Sequence, residues 1–164
     1  MSFINTLDVI GDDALTDSLI ERTITEYKDN EVTVIGDQAF SGCSLLTICE
    51  VPVVTSVGSS AFSSCTALER LDFTALTKLP SLYYLKSLRS LILRNTVMVT
   101  GPSSYMDLNE TPIKKGTGYI YVPSTLVDTY KAATNWSNYA NQFRALEDYT
   151  VDGTITGELD LTKI

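Results

Sequence analysis

Val34-Ile35-Gly36-Asp37-Gln38-Ala39-Phe40-Ser41-Gly42-Cys43 returns 22 residues later as Ser56-Val57-Gly58-Ser59-Ser60-Ala61-Phe62-Ser63-Ser64-Cys65, with Gly, Ala, Phe, Ser and Cys all held. The continuation agrees: Leu46-x-x-Cys49-x-Val51 becomes Leu68-x-x-Leu71-x-Phe73. A third copy keeps only the apolar skeleton. Leu76-Thr77-Lys78-Leu79 lies 22 after Val54-Thr55-Ser56-Val57; two residues are then lost, and Leu82, Leu85 and Leu88-x-x-Leu91-x-Leu93 follow at an offset of 20. Upstream by 22, Ile24, Tyr27 and Asp29 stand for Leu46, Cys49 and Val51, so residues 23–35 make an opening rung of strand, turn at Asp29-Asn30 and second strand. Side chains of a strand alternate between its faces, which turns positions such as 49 and 51 inward. One copy cannot bury that face alone, whereas stacked copies share a continuous core. The offsets predict two inward columns, Phe40 with Phe62 and Leu82, and Cys43 with Cys65 and Leu85. Gly36 and Gly58 mark the tight bend after each second strand.

A period of 22 falls within the range of leucine-rich repeats, and L-x-x-L-x-L is their strand signature. The pattern I-G-x-x-A-F-x-x-C-x-x-L-x-x-[LVC]-x-[VF] resembles the BspA-like leucine-rich repeats of bacterial surface proteins and of phages that infect gut bacteria. The resemblance covers roughly residues 23–123 and is specific in the two central copies. It implies a β-rich repeat solenoid of about four rungs, each of about 22 residues. Such a solenoid needs atypical caps at its ends.

Residues 1–22 are expected to be an N-terminal cap or docking arm, with a short amphipathic helix from Asp13 to Arg22 that aligns Leu15, Leu19 and Ile20. Residues 94–118, rich in Pro and Gly, read as an irregular loop. Tyr119-Ile120-Tyr121-Val122-Pro123 repeats Cys49-Glu50-Val51-Pro52 in outline, with Ile120 and Val122 inward. Residues 124–164 are expected to form a helical C-terminal cap. Ser124 would N-cap a helix carrying Leu126, Val127, Tyr130 and Ala133, a second helix would span Trp136 to Leu146, and Asp152-Gly153 signals a terminal hairpin. The stretches GYIYVP, DTYKAATNW and FRALEDYTVDGT resemble the closing segment of phage-encoded proteins with these repeats. That resemblance implies a virion before a cell wall.

The chain of 164 residues is 44% hydrophobic, enough for one core, and no apolar run nears the roughly 18 residues of a membrane span. Met1 to Asp8 has neither a basic start nor a following apolar run, so no secretory signal is expected. The net charge of −8 is uneven: residues 1–31 carry eight acids against Arg22 and Lys28, and residues 145–164 five acids against Lys163. Such ends argue against nucleic acid as the partner, because phosphate binding needs clustered Lys and Arg. Asp8, Asp12, Asp13, Asp17 and Glu21 are either a solvated face or a segment that docks on a basic neighbour. Three cysteines without a CxxC pair fit neither a disulfide framework nor zinc, and small core hydrophobes are the simpler reading. Histidine is absent, which removes the commonest general base and metal ligand.

Gly116-Thr117-Gly118 is too short for a dinucleotide loop, and neither a P-loop nor G-x-S-x-G occurs. Asp12-Asp13 and Glu158-Leu159-Asp160 match no calcium motif. The sequons at Asn109 and Asn135 are chance in a bacterial or phage product, and Trp136 reads as core of the cap before a contact residue. No cofactor and no catalytic residue is therefore expected; a carbohydrate enzyme using paired carboxylates is the outlying alternative. What remains is a surface. Two outward columns, Ile48-Arg70-Ser90-Tyr119 and Glu50-Asp72-Ile92-Tyr121, mix contact-prone residues and form a candidate interaction face, against the plainer reading of a solvated one. The expected function is non-enzymatic: a virion structural or attachment protein, or else a bacterial surface adhesin. Partners would be proteins, further copies of the chain, or a cell-surface receptor or glycan.

Overall fold

In Glu26-Tyr27-Lys28 the two charged side chains are exposed and the ring between them is buried, the alternation that a strand's twofold period imposes. The structure, a computed structural model, describes residues 9–10, 23–103 and 107–146. Two parallel sheets organise them. The smaller joins β1 (Val9–Ile10), β3 (Val34–Ile35) and β5 (Ser56–Val57). The larger runs in order through β2 (Glu26–Lys28), β4 (Ile48–Glu50), β6 (Arg70–Phe73), β7 (Ser90–Leu93), β8 (Tyr119–Val122) and β9 (Phe143–Ala145).

Through β8 the alignment of the copies in sequence gives the pairing registers, and β9, expected from the sequence to be helix, extends the ladder. Tyr27 pairs with Cys49, Cys49 with Leu71, Leu71 with Leu91, Leu91 with Ile120 and Ile120 with Phe143, and all six are buried. On the turn side the Phe40 and Phe62 rings stack with centroids 5.3 Å apart and planes 3° from parallel, and the edge of Tyr27 meets Phe40 at 4.9 Å. Leu82, Cys43, Cys65 and Leu85 are buried as well. Successive copies are joined by backbone amides: Thr47 N donates to Thr25 O, Glu69 N to Thr47 O, Arg89 N to Glu69 O and Tyr119 N to Arg89 O, at 2.7–3.0 Å. A second file runs Thr100 to Thr77 to Thr55 to Thr33, and the hydroxyls of Thr77 and Thr55 donate along it too. These backbone groups thus find their partners in the neighbouring copy, while others, such as Cys43 N on Phe40 O and Cys65 N on Phe62 O, close their own turn.

At Gly58 a Cβ would lie 2.4 Å from both the amide nitrogen and the carboxylate of Asp37, so only glycine lets the two bends approach. The turns use the left-handed conformation at a matching place in each copy. Gly42, Ser64, Tyr84 and Glu110 have φ of 80°, 62°, 63° and 64°. Gln38 and Ser60 adopt it a second time in the first two turns, with φ of 57° and 55°.

Residues 94–103 and 107–118, the described parts of 94–118, are not the irregular loop expected of that segment. Leu79 N donates to Thr100 O, Leu82 N to Asp107 O and Tyr84 N to Asn109 O, while Leu108 and Ile113 are buried. The segment lays a further layer over the third copy, lengthened so that Ser90 pairs with Tyr119. The closing segment also differs from expectation. Ser124 to Leu126 is a 3₁₀ turn preceded by Pro123, with no side-chain cap, and the α-helix α1 covers Val127–Ala132. In place of a helix to Leu146 there is a 3₁₀ stretch, Trp136–Gln142, and then β9, because the parallel ladder beside β8 satisfies the backbone of Phe143–Ala145. The Asp13–Arg22 helix, the hairpin at Asp152-Gly153 and both carboxylate pairs lie outside the described residues.

Cys43, Cys49 and Cys65 are buried free thiols, and Cys65 Sγ donates to Phe40 O at 3.0 Å. Burial, foremost, and the neighbouring cysteines push the Cys49 and Cys65 thiols well above their ordinary value. Thiolate is the reactive form. A thiol reagent at neutral pH is therefore expected to label none of the three in the native protein and all three after denaturation; labelling that precedes unfolding would contradict the packing role.

Candidate interaction surface

The outer face of the larger sheet follows the predicted columns. Ile48, Arg70, Ser90 and Tyr119 pair in one row, and Glu50, Asp72, Ile92 and Tyr121 in the next, which ends on Arg144. The expected exposure does not follow. Arg70, Asp72, Ser90, Ile92 and Tyr121 are buried, and Ile48, Glu50 and Tyr119 are only half-buried.

Two causes close this face. The first is electrostatic. Glu50 and Asp72 face each other on adjacent strands, an arrangement that repels unless cations intervene. Arg70 hydrogen-bonds Glu50, which Lys28 also approaches at 3.7 Å, and Arg94 grips Asp72 in a bidentate pair, Nε to Oδ1 at 2.9 Å and Nη2 to Oδ2 at 2.8 Å. The guanidinium groups lie along the sheet and cover it. The second cause is apolar: Leu146, just beyond β9, packs with Ile92 and Tyr121, and Tyr119 joins them. The Arg144 guanidinium sits 4.4 Å from the centre of the Tyr119 ring, a cation–π contact. The face is thus open at β2 and β4 and closed toward β9.

Burial, the largest influence, raises the Asp72 carboxyl above its ordinary value, against the opposing pull of Arg94 and Arg70. The sign follows from linkage: a carboxyl whose pKa is higher folded than unfolded favours folding when protonated, and that contribution is lost as pH rises through the raised value. Comparing the wild type with Asp72→Asn in denaturant titrations is expected to move the difference in favour of the wild type as pH falls from 7 toward the ordinary aspartate range. A flat difference would mean that burial and the guanidinium groups cancel, and one that moves the other way would assign Asp72 a net favourable charge.

Sequence reasoning missed the apolar groups that are exposed. These lie away from the strands: Leu45, Val53, Tyr83, Tyr84 and Val97, the last 74% exposed. The signal for Tyr83-Tyr84 was its place in the third copy, where the first two carry Ser41-Gly42 and Ser63-Ser64. Asp8, Asp12, Asp13, Asp17 and Glu21, the candidate docking segment, fall outside the described residues. Among the described residues no three Cys, Asp or Glu side chains are grouped as metal ligands would be, and no helix is long and apolar enough to cross a membrane.

A family model described as the BspA type leucine rich repeat region matches residues 8–122 in six copies. The chain belongs to this family. Its BspA-type copies account for the parallel registers, and the match begins well before residue 23, in agreement with the pairing of Val9 with Val34 and Ile10 with Ile35. In sequence, Val9-Ile10-Gly11-Asp12-Asp13-Ala14-Leu15 is a copy of Val34-Ile35-Gly36-Asp37-Gln38-Ala39-Phe40, at an offset of 25 in place of 22. No curated protein matches the chain. BspA-type repeats are protein-interaction and adhesion modules, and that is the class in which this chain stands.

Proposed function

We propose that the chain is a non-enzymatic virion component, a head-decoration, fibre or tail-associated protein whose repeats form a rigid solenoid capped at both ends. The observation that carries the interaction role is the ladder itself. Side chains of successive copies stand in register, about 4.8 Å apart, so where they remain open, at β2 and β4 and on the turns, several copies can engage one partner at once. The virion assignment is supported by the resemblance of GYIYVP, DTYKAATNW and FRALEDYTVDGT to the closing segment of phage-encoded repeat proteins. Acidic side chains near both ends would contact a basic neighbour or another copy.

The experiment is mass spectrometry of purified particles from the source, with co-sedimentation of the recombinant chain. Co-sedimentation is expected, and is expected to weaken when Asp13, Asp17 and Glu21 are changed together to Asn. A chain absent from particles but retained on bacterial surfaces would favour the alternative, a surface adhesin, which the family's occurrence in bacterial surface proteins supports. An activity on polysaccharide or peptide that one Asp or Glu substitution abolishes would overturn the non-enzymatic reading.

A further inference from the structure

Tyr83 and Tyr84 are exposed to 37% and 48%, and their ring centroids lie 4.0 Å apart with planes tilted by 51°. Adjacent tyrosines on a solvated turn gain little by pairing in this way. Tyr84 is moreover held at φ +63°, a left-handed conformation costly for a bulky side chain, at the position where the first copy has Gly42. Its amide is tied to Asn109 O at 3.1 Å, so the backbone fixes the ring where it stands. Lys86 reaches over the Tyr84 ring at 5.8 Å from its centre. Between these three and the preceding copy opens a cavity of about 380 Å³, whose other walls are Ser63, Ser64 and Thr66.

The lining decides the chemistry. A protein anchor calls for an apolar pocket that excludes water. Here there is no aliphatic wall: two aromatic faces stand opposite three hydroxyl-bearing residues and one ammonium. A pyranose ring has the complementary surface. Its C–H face is apolar and slightly positive, suited to the negative face of an aromatic ring, while its rim of hydroxyls both donates and accepts. The volume falls within the range of small-molecule sites. We propose that Tyr83, Tyr84 and Lys86, with Ser63, Ser64 and Thr66, form a binding subsite for a pyranose unit of a glycan. The ring stacks on tyrosine and its hydroxyls, or the carboxylate of an acidic sugar, face Lys86 and the serines. The site lies on the turns, not on the sheet face, and stands whether or not the chain is a virion component.

Saturation-transfer NMR on the full chain tests it, with soluble oligosaccharides of N-acetylglucosamine, mannose, galactose and glucuronic acid as probes. Transfer to pyranose C–H protons is expected in at least one series, and restriction to glucuronic acid would assign the Lys86 contact to a carboxylate. Tyr84→Gly suits the left-handed backbone and is expected to keep the thermal midpoint while weakening binding at least tenfold; Tyr83→Ala with Tyr84→Gly should abolish it. No transfer from any series at millimolar sugar, or transfer that survives the double substitution, would overturn the proposal. So would a surface that these substitutions disable toward a protein partner but not toward sugars.

Discussion

Phe62→Ala is expected to destabilise the protein by about 3–5 kcal/mol, the usual cost of deleting a fully packed ring from a core that cannot collapse around the void. Phe62 is buried with its ring stacked on Phe40, which in turn bears the edge of Tyr27, so the cavity would open between two copies and unsupport a third. The backbone resists closure, because Gln38, Phe40 and Gly42 are bonded through their amides to Ser59, Ala61 and Ser63 on either side of the ring. For a chain of this length the thermal midpoint should fall on the order of 10 °C. Denaturant titration of the wild type, Phe62→Ala and Phe62→Leu gives the check, with leucine, the residue the third copy carries at this position, recovering most of the loss. A cost below about 1 kcal/mol for the alanine variant would mean that the column is not a shared core.

Trp136→Ala should be of similar size, about 3–5 kcal/mol, for a different set of reasons. The Trp136 ring is fully buried, meets Tyr130 edge-on at 5.3 Å and Phe143 at 5.8 Å, and lies against the backbone of Gly101. Its Nε1 donates to Val99 O at 3.0 Å, while Val99 N donates to the Tyr130 hydroxyl at 2.8 Å. Two aromatic side chains of the closing segment therefore satisfy both polar groups of one buried peptide residue in the last long layer. Removing the indole empties a large volume and leaves the Val99 carbonyl without its partner, and the second effect supplies about 1–3 kcal/mol of that total. Trp136→Phe fills much of the volume but cannot donate, and is expected to show the second loss alone. Hydrogen exchange separates the effects: Val99 amide protection should fall sharply in Trp136→Ala and little in Phe62→Ala. Equal loss of protection in both would mean that the closing segment has no local coupling to residue 99.

Much of this architecture is legible in the sequence because a parallel ladder converts sequence offset into register. Phe40 over Phe62 and Cys49 over Leu71 follow from counting alone. Counting fails where a copy changes length. The step from Ser90 to Tyr119 hides a layer among prolines and glycines, and the step from Val9 to Val34 hides the earliest copy behind an offset of 25. It also fails for exposure. Outward positions are assigned by alternation, yet whether they meet water depends on what later folds over them: Arg94 reaches back a whole copy to Asp72, and Arg144 and Leu146 come from the closing segment. Phe143–Ala145 became a strand because β8 offered it a free edge, a tertiary cause that no local propensity records. The Tyr83-Tyr84 pair was legible as residues but not as a site, since its meaning lies in a backbone angle and in the serines of the copy beneath.

The near-constant spacing of the interlayer bonds has a kinetic consequence. Thr47 to Thr25, Thr55 to Thr33 and Glu69 to Thr47 each close a chain loop of 22 residues, at an entropic cost of about 3 kcal/mol. No contact of this ladder must wait for the two ends of the molecule to meet. Folding is thus expected to start at whichever pair of copies is most stable, the Phe40–Phe62 pair being the best furnished, and to spread outward one layer at a time like a zip. A weakened layer would then halt the slider rather than spoil the whole seam, leaving one side closed while the other stands open.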